Sequence, residues 1–421
     1  MLHASLIGHV EILLTEVLKF NTPADGSISR YFKQHAALGQ RDRGLIAEAV
    51  YAVLRKRLEF SNMAQSATGS LERRLALLGL AYVAGIPALA HRVSPSESEW
   101  LERLQHVDRT ALPFETRCNM PDWVLAALRG RFSDAEVEAI ANALNQQAPL
   151  DLRVNRQKMH RNEAIEALRL SGIASQPTPF SPDGVRIDDK PQLSQLGLFR
   201  DGSIEVQDEG SQLLALLLAP KRGELVIDFC AGAGGKTLAI GALMRSTGRL
   251  YALDVSAKRL AKFKPRLARS GLSNVHPMVI DSERDAKLKR FVGKADRVLV
   301  DAPCSGLGTL RRNPDLKWRQ SAASVTELNA LQQSILASAA RLVAPGGRLV
   351  YATCSLLDAE NQAVVASFLA THSDFVQVDA GQILAAAGVE GLPGATLELW
   401  PHRHGTDGFF AVAMTRSAAP H

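Results

Sequence analysis

Residues 224–245 read ELVIDFCAGAGGKTLAIGALMR. ELVIDF has the apolar, β-branched character of a buried strand. CAGAGGKT is a glycine-rich loop, and KTLAIGALMR carries apolar residues at helical spacing. Strand, glycine loop and helix in that order open a doubly wound α/β sheet. The loop ends in Gly235-Lys236-Thr237, the end of the phosphate-loop pattern G-x-x-x-x-G-K-[ST]. The first glycine of that pattern falls at position 230, which is Cys230. The missing glycine is the one that lets the turn wrap phosphates, so ATP is disfavoured. The G-x-G-x-x-G spacing of a nicotinamide site also fails, because Gly232 and Gly234 are followed by Thr237.

The same alternation continues outward. RLYALDV is a second strand, followed by the helix SAKRLAKFKPRLARSG; HPMVID is a third. ADRVLVDAPC is a fourth, before a long helix around SVTELNALQQSILASAARL. GGRLVYATC is a fifth, before DAENQAVVASFLATH, and FFAVAMT is expected to close the chain as an edge strand. Residues 206–421 therefore predict a Rossmann-like, doubly wound, mostly parallel sheet with helices on both faces. Upstream, 146–205 predicts a small α/β module: strand DLRVN, helix RNEAIEALRLSG, a loop QPTPFSPDG and strand GVRID. Residues 1–145 predict an all-helical domain from EILLTEVLKF, RGLIAEAVYAVLRKRLEF, LERRLALLGLAYVAG and DAEVEAIANAL, with Asp134 as an N-cap.

Bulk properties narrow the class. The chain has 421 residues, 46% hydrophobic and 22% charged, which suits two or three folded domains. No run of eighteen apolar residues occurs, so no membrane span or membrane partner is expected. The N-terminus resembles an amphipathic helix more than a signal peptide. The four cysteines, Cys118, Cys230, Cys304 and Cys354, form no C-x-x-C, so neither a metal site nor a disulfide framework is expected. A cytoplasmic monomer is the expectation. Net charge is +6; residues 1–145 hold 16 basic and 16 acidic residues, leaving 33 of the 49 basic and 27 of the 43 acidic for the rest. That excess is compatible with a nucleic-acid partner but does not establish one. His402 and His404 in PHRHGTDGFF are too few for a metal and suit a surface loop.

Ligands of such sheets bind at the carboxyl ends of the strands. Asp228, Asp254, Asp281 and Asp301 all stand at or beside such ends. Any one of them could be a turn or cap residue; four in corresponding positions point to a site. Asp254 is placed for ribose hydroxyls and Asp281 for an adenine edge. The acidic lining suits S-adenosylmethionine, which has no phosphates and carries positive sulfonium and amino groups.

The stretches DAPCSGLGTLRRNPDLKWR (301–319) and YATCSLL (351–357) each put a cysteine just past a strand. A thiolate that adds to carbon 6 of cytosine makes carbon 5 nucleophilic enough to take a methyl group, after which the thiol is expelled. A thiolate needs nearby positive charge, and Lys236, Arg311, Arg312 and Lys317 are candidates to supply it. Asp301, three residues before Cys304, could hold the base at its ring nitrogen. Trp318 could stack a base, and Arg311, Arg312 and Lys317 could contact phosphates. Spacing alone leaves open which cysteine attacks.

CAGAGGKT, LDVSAKRL, DAPCSGLGTLRRNPDLKWR and GGRLVYATCSLLDAEN together resemble the Nol/Nop/Sun-type RNA (cytosine-5) methyltransferases, as do VQDEGSQLLALLL and TDGFFAVAM. The resemblance covers about 145–421 and extends to LGQRDRGLIAEAVYAVLRKR, which is similar to the NusB-like RNA-recognition domain of bacterial 16S ribosomal RNA enzymes. It implies a Rossmann-like class I methyltransferase fold and S-adenosylmethionine as cofactor. It implies Cys354 as nucleophile, Cys304 in product release, and Asp301 orienting the cytosine with Lys236 beside it. Cys230, Gly232, Gly234, Asp254 and Asp281 would line the cofactor site, with Asp228 and Asp301 counted among them. DNA cytosine methyltransferases use a PC cysteine, which keeps Cys304 as the alternative nucleophile. Two departures stand out: Gly232-Ala233 where the family has Ala-Pro, and IDSER where it has a GDGR-like loop. The expected function is cytosine-5 methylation of RNA, 16S rRNA first and tRNA second. A phosphate-loop ATPase and a non-catalytic RNA-binding protein on the same scaffold are the rivals.

Overall fold

In Leu150–Val154 (β1), Leu152 and Val154 turn the same way into a small core, as the two-residue period of a strand requires. The strand is central in a four-stranded antiparallel sheet with Ser175–Pro177 (β2), Gly184–Ile187 (β3) and Ile204–Val206 (β4), in the order β2-β3-β1-β4. Ala164 and Leu168 of the helix Arg161–Leu170 close that core. β2 falls in the stretch expected to be only loop; Pro177 is tolerated because β2 is an edge. This computed structural model describes residues 5–188 and 191–418.

The large sheet comprises Leu225–Asp228 (β5), Arg249–Asp254 (β6), Val275–Val279 (β7), Ala295–Asp301 (β8), Val343–Thr353 (β9), Phe375–Val378 (β10), Leu397–Leu399 (β11) and Phe409–Arg416 (β12). Its order is β10-β12-β9-β8-β5-β6-β7, with β11 also paired to β12. β5 through β9 are parallel; β12 runs antiparallel to β9, β10 and β11. The chain steps outward from β5 to β6 and β7, then returns to β8 on the other side of β5. This reversal opens a crevice at the carboxyl ends of β5 and β8. The mixed, mostly parallel sheet matches the expected class. FFAVAMT is not an edge strand: β12 lies between β9 and β10, and this interior place explains its nearly unbroken apolar run.

Each face of the sheet has its own core. Val226, Leu250, Ala252, Leu299, Val350 and Ala411 pack under the helices Glu209–Leu218 and Gly235–Leu243. Ile227, Leu253, Val298, Tyr351 and Val412 face the helices Ala322–Ala340 and Gln362–Thr371. Each fully buried large aliphatic or aromatic side chain contributes about 1.5–3 kcal/mol, which holds the strand ends in register.

By density of contacts the chain divides into Met1–Gln147 with Thr309–Ala322, and Ala148–Gly308 with Ala323–His421. The first unit is helical. Ser70 caps Leu71–Ala84 by accepting from the Arg73 amide, and Ser94 and Glu97 form a reciprocal capping box on Pro95–Leu104. Ser133, not Asp134, is the N-cap of Asp134–Leu144: its hydroxyl accepts from the Glu136 amide, and Asp134 pairs with Arg129. RGLIAEAVYAVLRKRLEF is two helices, Gln40–Arg55 and Arg57–Ala64, broken at Lys56. Gly79 lies where a Cβ would meet the Ala49 carbonyl oxygen at 2.6 Å, so the helices Leu71–Ala84 and Gln40–Arg55 touch backbone to backbone. Among the described residues, no helix is long and apolar enough to cross a membrane.

Candidate active site

The glycine loop is shaped by two left-handed residues. Gly232 has φ 57° and donates its amide to Asp254 Oδ2 at 2.8 Å; Asp254 Oδ1 accepts the Ser256 amide at 2.7 Å. Gly234 has φ 81°, and a Cβ there would sit 2.0 Å from the Phe263 ring. Arg266 Nη1 holds the Ala233 carbonyl at 2.7 Å. Beneath the loop, Asp228 Oδ2 accepts from Thr237 Oγ1 at 2.6 Å, while its buried Oδ1 has no partner among the described residues. Burial pushes the Asp228 carboxyl up to about 7, against the pull of the Thr237 hydrogen bond. Cys230 packs against the core, and burial raises its thiol well above the ordinary range. Asp281 is exposed two residues beyond β7, with its amide donating to Asp285 Oδ2 at 2.8 Å.

At the end of β8, Asp301 Oδ2 lies 2.7 Å from Lys236 Nζ. Burial pulls the Lys236 ammonium down, but the Asp301 charge and hydrogen bond outweigh it and hold the group above its ordinary value. Just past β8 and β9, Cys304 Sγ and Cys354 Sγ stand 3.4 Å apart. The neighbouring Cys354 sulfur and burial push the Cys304 thiol well up. The loops bearing the two thiols are tied by backbone: the Gly308 amide donates to the Cys354 carbonyl at 2.8 Å. Gly308 cannot carry a side chain, since a Cβ would lie 2.1 Å from the Gly408 oxygen.

Behind the thiols, Glu360 is fully buried. Its Oε1 accepts the Ser305 amide at 2.8 Å and Gln332 Nε2 at 3.0 Å. Its Oε2 accepts the hydroxyls of Ser305 and Ser355. Sequence reasoning missed Glu360, Gln332, Ser305, Ser355 and Thr237. The serines could have been flagged, because each directly follows a strand-end cysteine; Gln332, in mid-helix, gave no signal.

Residues 215–415 match the family model described as 16S rRNA methyltransferase RsmB/F, and residues 120–194 match its ferredoxin-like domain. A probable ribosomal RNA small subunit methyltransferase B of Synechocystis sp. is 31% identical to this chain, with 96% of this chain and 98% of the relative covered. The chain belongs to the RsmB/F family of 16S rRNA methyltransferases. The crystal structure of PH0851 superposes with TM-score 0.78 at 27% identity, covering 98% of this chain and 99% of that one. NSun6 from Pyrococcus horikoshii with SFG shares the fold at TM-score 0.62 and 21% identity, over 71% of this chain and 99% of that one. RsmB/F membership sets aside the phosphate-loop ATPase reading.

In this RsmB/F methyltransferase, the stretch expected to meet RNA just after Cys304 belongs with the helical unit. Lys317 is fully buried, its Nζ donating to the Arg55 carbonyl at 2.9 Å and to Asn145 Oδ1 at 2.6 Å. That enclosure overturns its expected phosphate contact. Burial, with Arg55 and Lys56 adding, lowers its ammonium well below the ordinary value. Trp318 packs on the bundle core; its Nε1 donates to the Leu54 carbonyl at 2.8 Å and its ring lies 5.0 Å from the Arg57 guanidinium. It is a packing residue in this arrangement, not a stacking platform. Arg311 is 6% exposed and Arg312 half-buried, so of the three basic residues Arg312 keeps the most accessible surface. His402 and His404 lie in a short helix, Pro401–His404, where a loop was expected.

Proposed function

We propose that this RsmB/F methyltransferase transfers a methyl group from S-adenosylmethionine to carbon 5 of a cytosine in 16S rRNA, through a covalent adduct on Cys354. The 3.4 Å separation of two thiols from different strand ends is the observation that carries the reading. A single nucleophile needs no second sulfur; a two-step addition and release uses both.

The residues present fit the cofactor. Asp228 Oδ1 is a buried acceptor with no partner among the described residues, and its carboxylate would supply the counter-charge that an amino group needs. Asp254 is fixed by two backbone amides and keeps lone pairs for ribose hydroxyls. Gly232 leaves the loop without a side chain on an open side, where a Cβ would meet nothing within 4 Å. When bound, S-adenosylmethionine supplies an electrophilic methyl on a sulfonium and leaves as a neutral thioether. NSun6 with SFG, a protein of this fold, lends further support for this class of ligand.

Cys354 adds to carbon 6 of the cytosine, and carbon 5 takes the methyl. The carbon-5 proton is then removed and the Cys354–carbon 6 bond breaks, returning the thiol. Asp301 holds the ring-nitrogen edge of the base, and Lys236 keeps that carboxylate oriented. Cys304 Sγ, 3.4 Å from Cys354 Sγ, assists release of the methylated base. Arg312 contacts phosphate, and the helical unit contributes to choosing the RNA.

The test is nucleoside analysis by mass spectrometry after incubating the protein with labelled S-adenosylmethionine and, in parallel, unmodified 16S rRNA or unmodified tRNA. The expected product is 5-methylcytidine. Label in another nucleoside contradicts the chemistry; label in tRNA alone contradicts the substrate; donor binding without transfer marks a non-catalytic scaffold.

A further inference from the structure

The two thiols sit on loops that leave different strands, β8 and β9, and their separation is not fixed by either strand alone. Each cysteine is followed by a serine, and both serine hydroxyls converge on Glu360 Oε2. The other oxygen, Oε1, takes the Ser305 amide at 2.8 Å. Gln332 Nε2 bridges Oε1 at 3.0 Å and the Pro303 carbonyl at 2.9 Å, so the residues on both sides of Cys304 are held by one network. Glu360 itself is anchored: its carbonyl accepts from Tyr351 Oη at 2.7 Å, and the neighbouring Asn361 Nδ2 holds the Ser355 carbonyl at 3.0 Å. Glu360, Ser305, Ser355 and Gln332 are all at most 2% exposed, so no solvent competes for these bonds.

We propose that Glu360 is a positioning residue for both thiols, setting the apposition of Cys304 and Cys354 and with it the hand-over from methyl transfer to product release. The release half rests on the reading that Cys354 adds and Cys304 assists departure. Productive geometry requires side chains held to about 0.5 Å, and a serine fixed at the next residue constrains the backbone that carries each sulfur. The Gly308–Cys354 backbone bond does not involve Glu360, so the loops stay neighbours without it while the sulfurs lose their fixed spacing.

Phenylarsine oxide reports the apposition directly. Its arsenic exchanges one oxygen for two thiolate sulfurs; the oxygen leaves as water with both thiol protons, with no change of oxidation state. The full-length protein is expected to be bridged, and Cys304→Ser to lose the bridge. Glu360→Ala and Ser355→Ala are each expected to weaken bridging by about ten-fold or more, since each loses at least one buried hydrogen bond on the clamp. Glu360→Gln is expected to restore it, because its carbonyl accepts the Ser305 amide and the serine hydroxyls can rotate to accept from its amide. With RNA and methyl donor, Glu360→Ala accumulates the covalent adduct that wild type resolves. If Glu360→Ala does not fold, Ser355→Ala, which removes one arm only, carries the test. Bridging of the folded clamp variants at wild-type affinity overturns the proposal. Bridging that depends on Glu360 with no RNA adduct in any variant leaves the apposition standing and overturns the covalent chemistry instead.

Discussion

Lys236 Nζ lies 2.7 Å from Asp301 Oδ2, with the two side chains 14% and 26% exposed. The pair joins the helix after β5 to the end of β8, across the reversal in strand order. Lys236→Met keeps the side-chain stem and removes the charge that orients the carboxylate. Methyl transfer is expected to fall by ~10²–10⁴-fold, the range for a positioned polar catalytic group. Methyl-donor affinity is expected to change by less than about three-fold, about 0.65 kcal/mol. Single-turnover transfer and donor titration on the same preparation check both.

Asp228 gives the stability a pH signature. Burial raises its carboxyl from 3.8 to about 7, so between those values the native state holds a proton that the unfolded chain has released. Its stabilising contribution is therefore complete below pH 3.8 and is lost as pH rises through 7. At about 1.4 kcal/mol per pH unit the full span is worth ~4 kcal/mol. Denaturant titrations of wild type and Asp228→Asn should show wild type losing stability relative to the variant from pH 4 toward 7. A cationic amino group at Oδ1 favours the ionised carboxylate, so donor affinity should rise over the same interval in wild type and stay flat in Asp228→Asn.

Gly234 and its neighbour Gly235 should respond differently to the same substitution. Gly234 combines φ 81° with a Cβ position 2.0 Å from Phe263, whereas a Cβ at Gly235 meets nothing nearer than 3.8 Å. Gly234→Ala is expected to cost ~2–4 kcal/mol from backbone strain and overpacking together. It should also weaken donor binding, because Gly232, whose amide holds Asp254, lies on the loop it distorts. Gly235→Ala, at the first turn of a helix, is expected to fall within ~1 kcal/mol of wild type. Thermal melts and donor titrations distinguish the two.

Lys317 tests whether the segment after the Cys304 loop is packing or RNA contact. Lys317→Met leaves the Arg55 and Asn145 oxygens without its ammonium and should cost ~1–3 kcal/mol. Its lowered ammonium means the native state binds fewer protons than the unfolded one, so wild type should gain stability relative to Lys317→Met as pH rises toward 10.5. The salt dependence of RNA binding should be unchanged in this variant. Arg312→Gln, by contrast, should reduce the slope by about one phosphate contact.

The sequence carried the parts of the fold that depend on local pattern. Apolar strands ending at Asp228, Asp254 and Asp301 could be found because strand period and strand-end chemistry coincide there. The place of β12 could not: an apolar FFAVAMT is compatible with an edge or an interior strand, and the β9 and β10 pairings that decide between them are non-local. Lys317 and Trp318 misled for a related reason. A basic, aromatic stretch beside a catalytic loop has the composition of an RNA contact, and only the carbonyls of Leu54 and Arg55, some 260 positions away, reveal it as packing. Glu360 was inside a quoted motif yet unassigned, because its partners come from three separate elements.

Trapping tests the roles of the two thiols most directly. Wild type, Cys354→Ala and Cys304→Ala are incubated with 16S rRNA and labelled S-adenosylmethionine and run on denaturing gels. Cys354→Ala is expected to give no adduct, Cys304→Ala a persistent RNA–protein adduct, and wild type turnover. An adduct that survives in Cys354→Ala and disappears in Cys304→Ala would contradict it and exchange the roles of the two thiols.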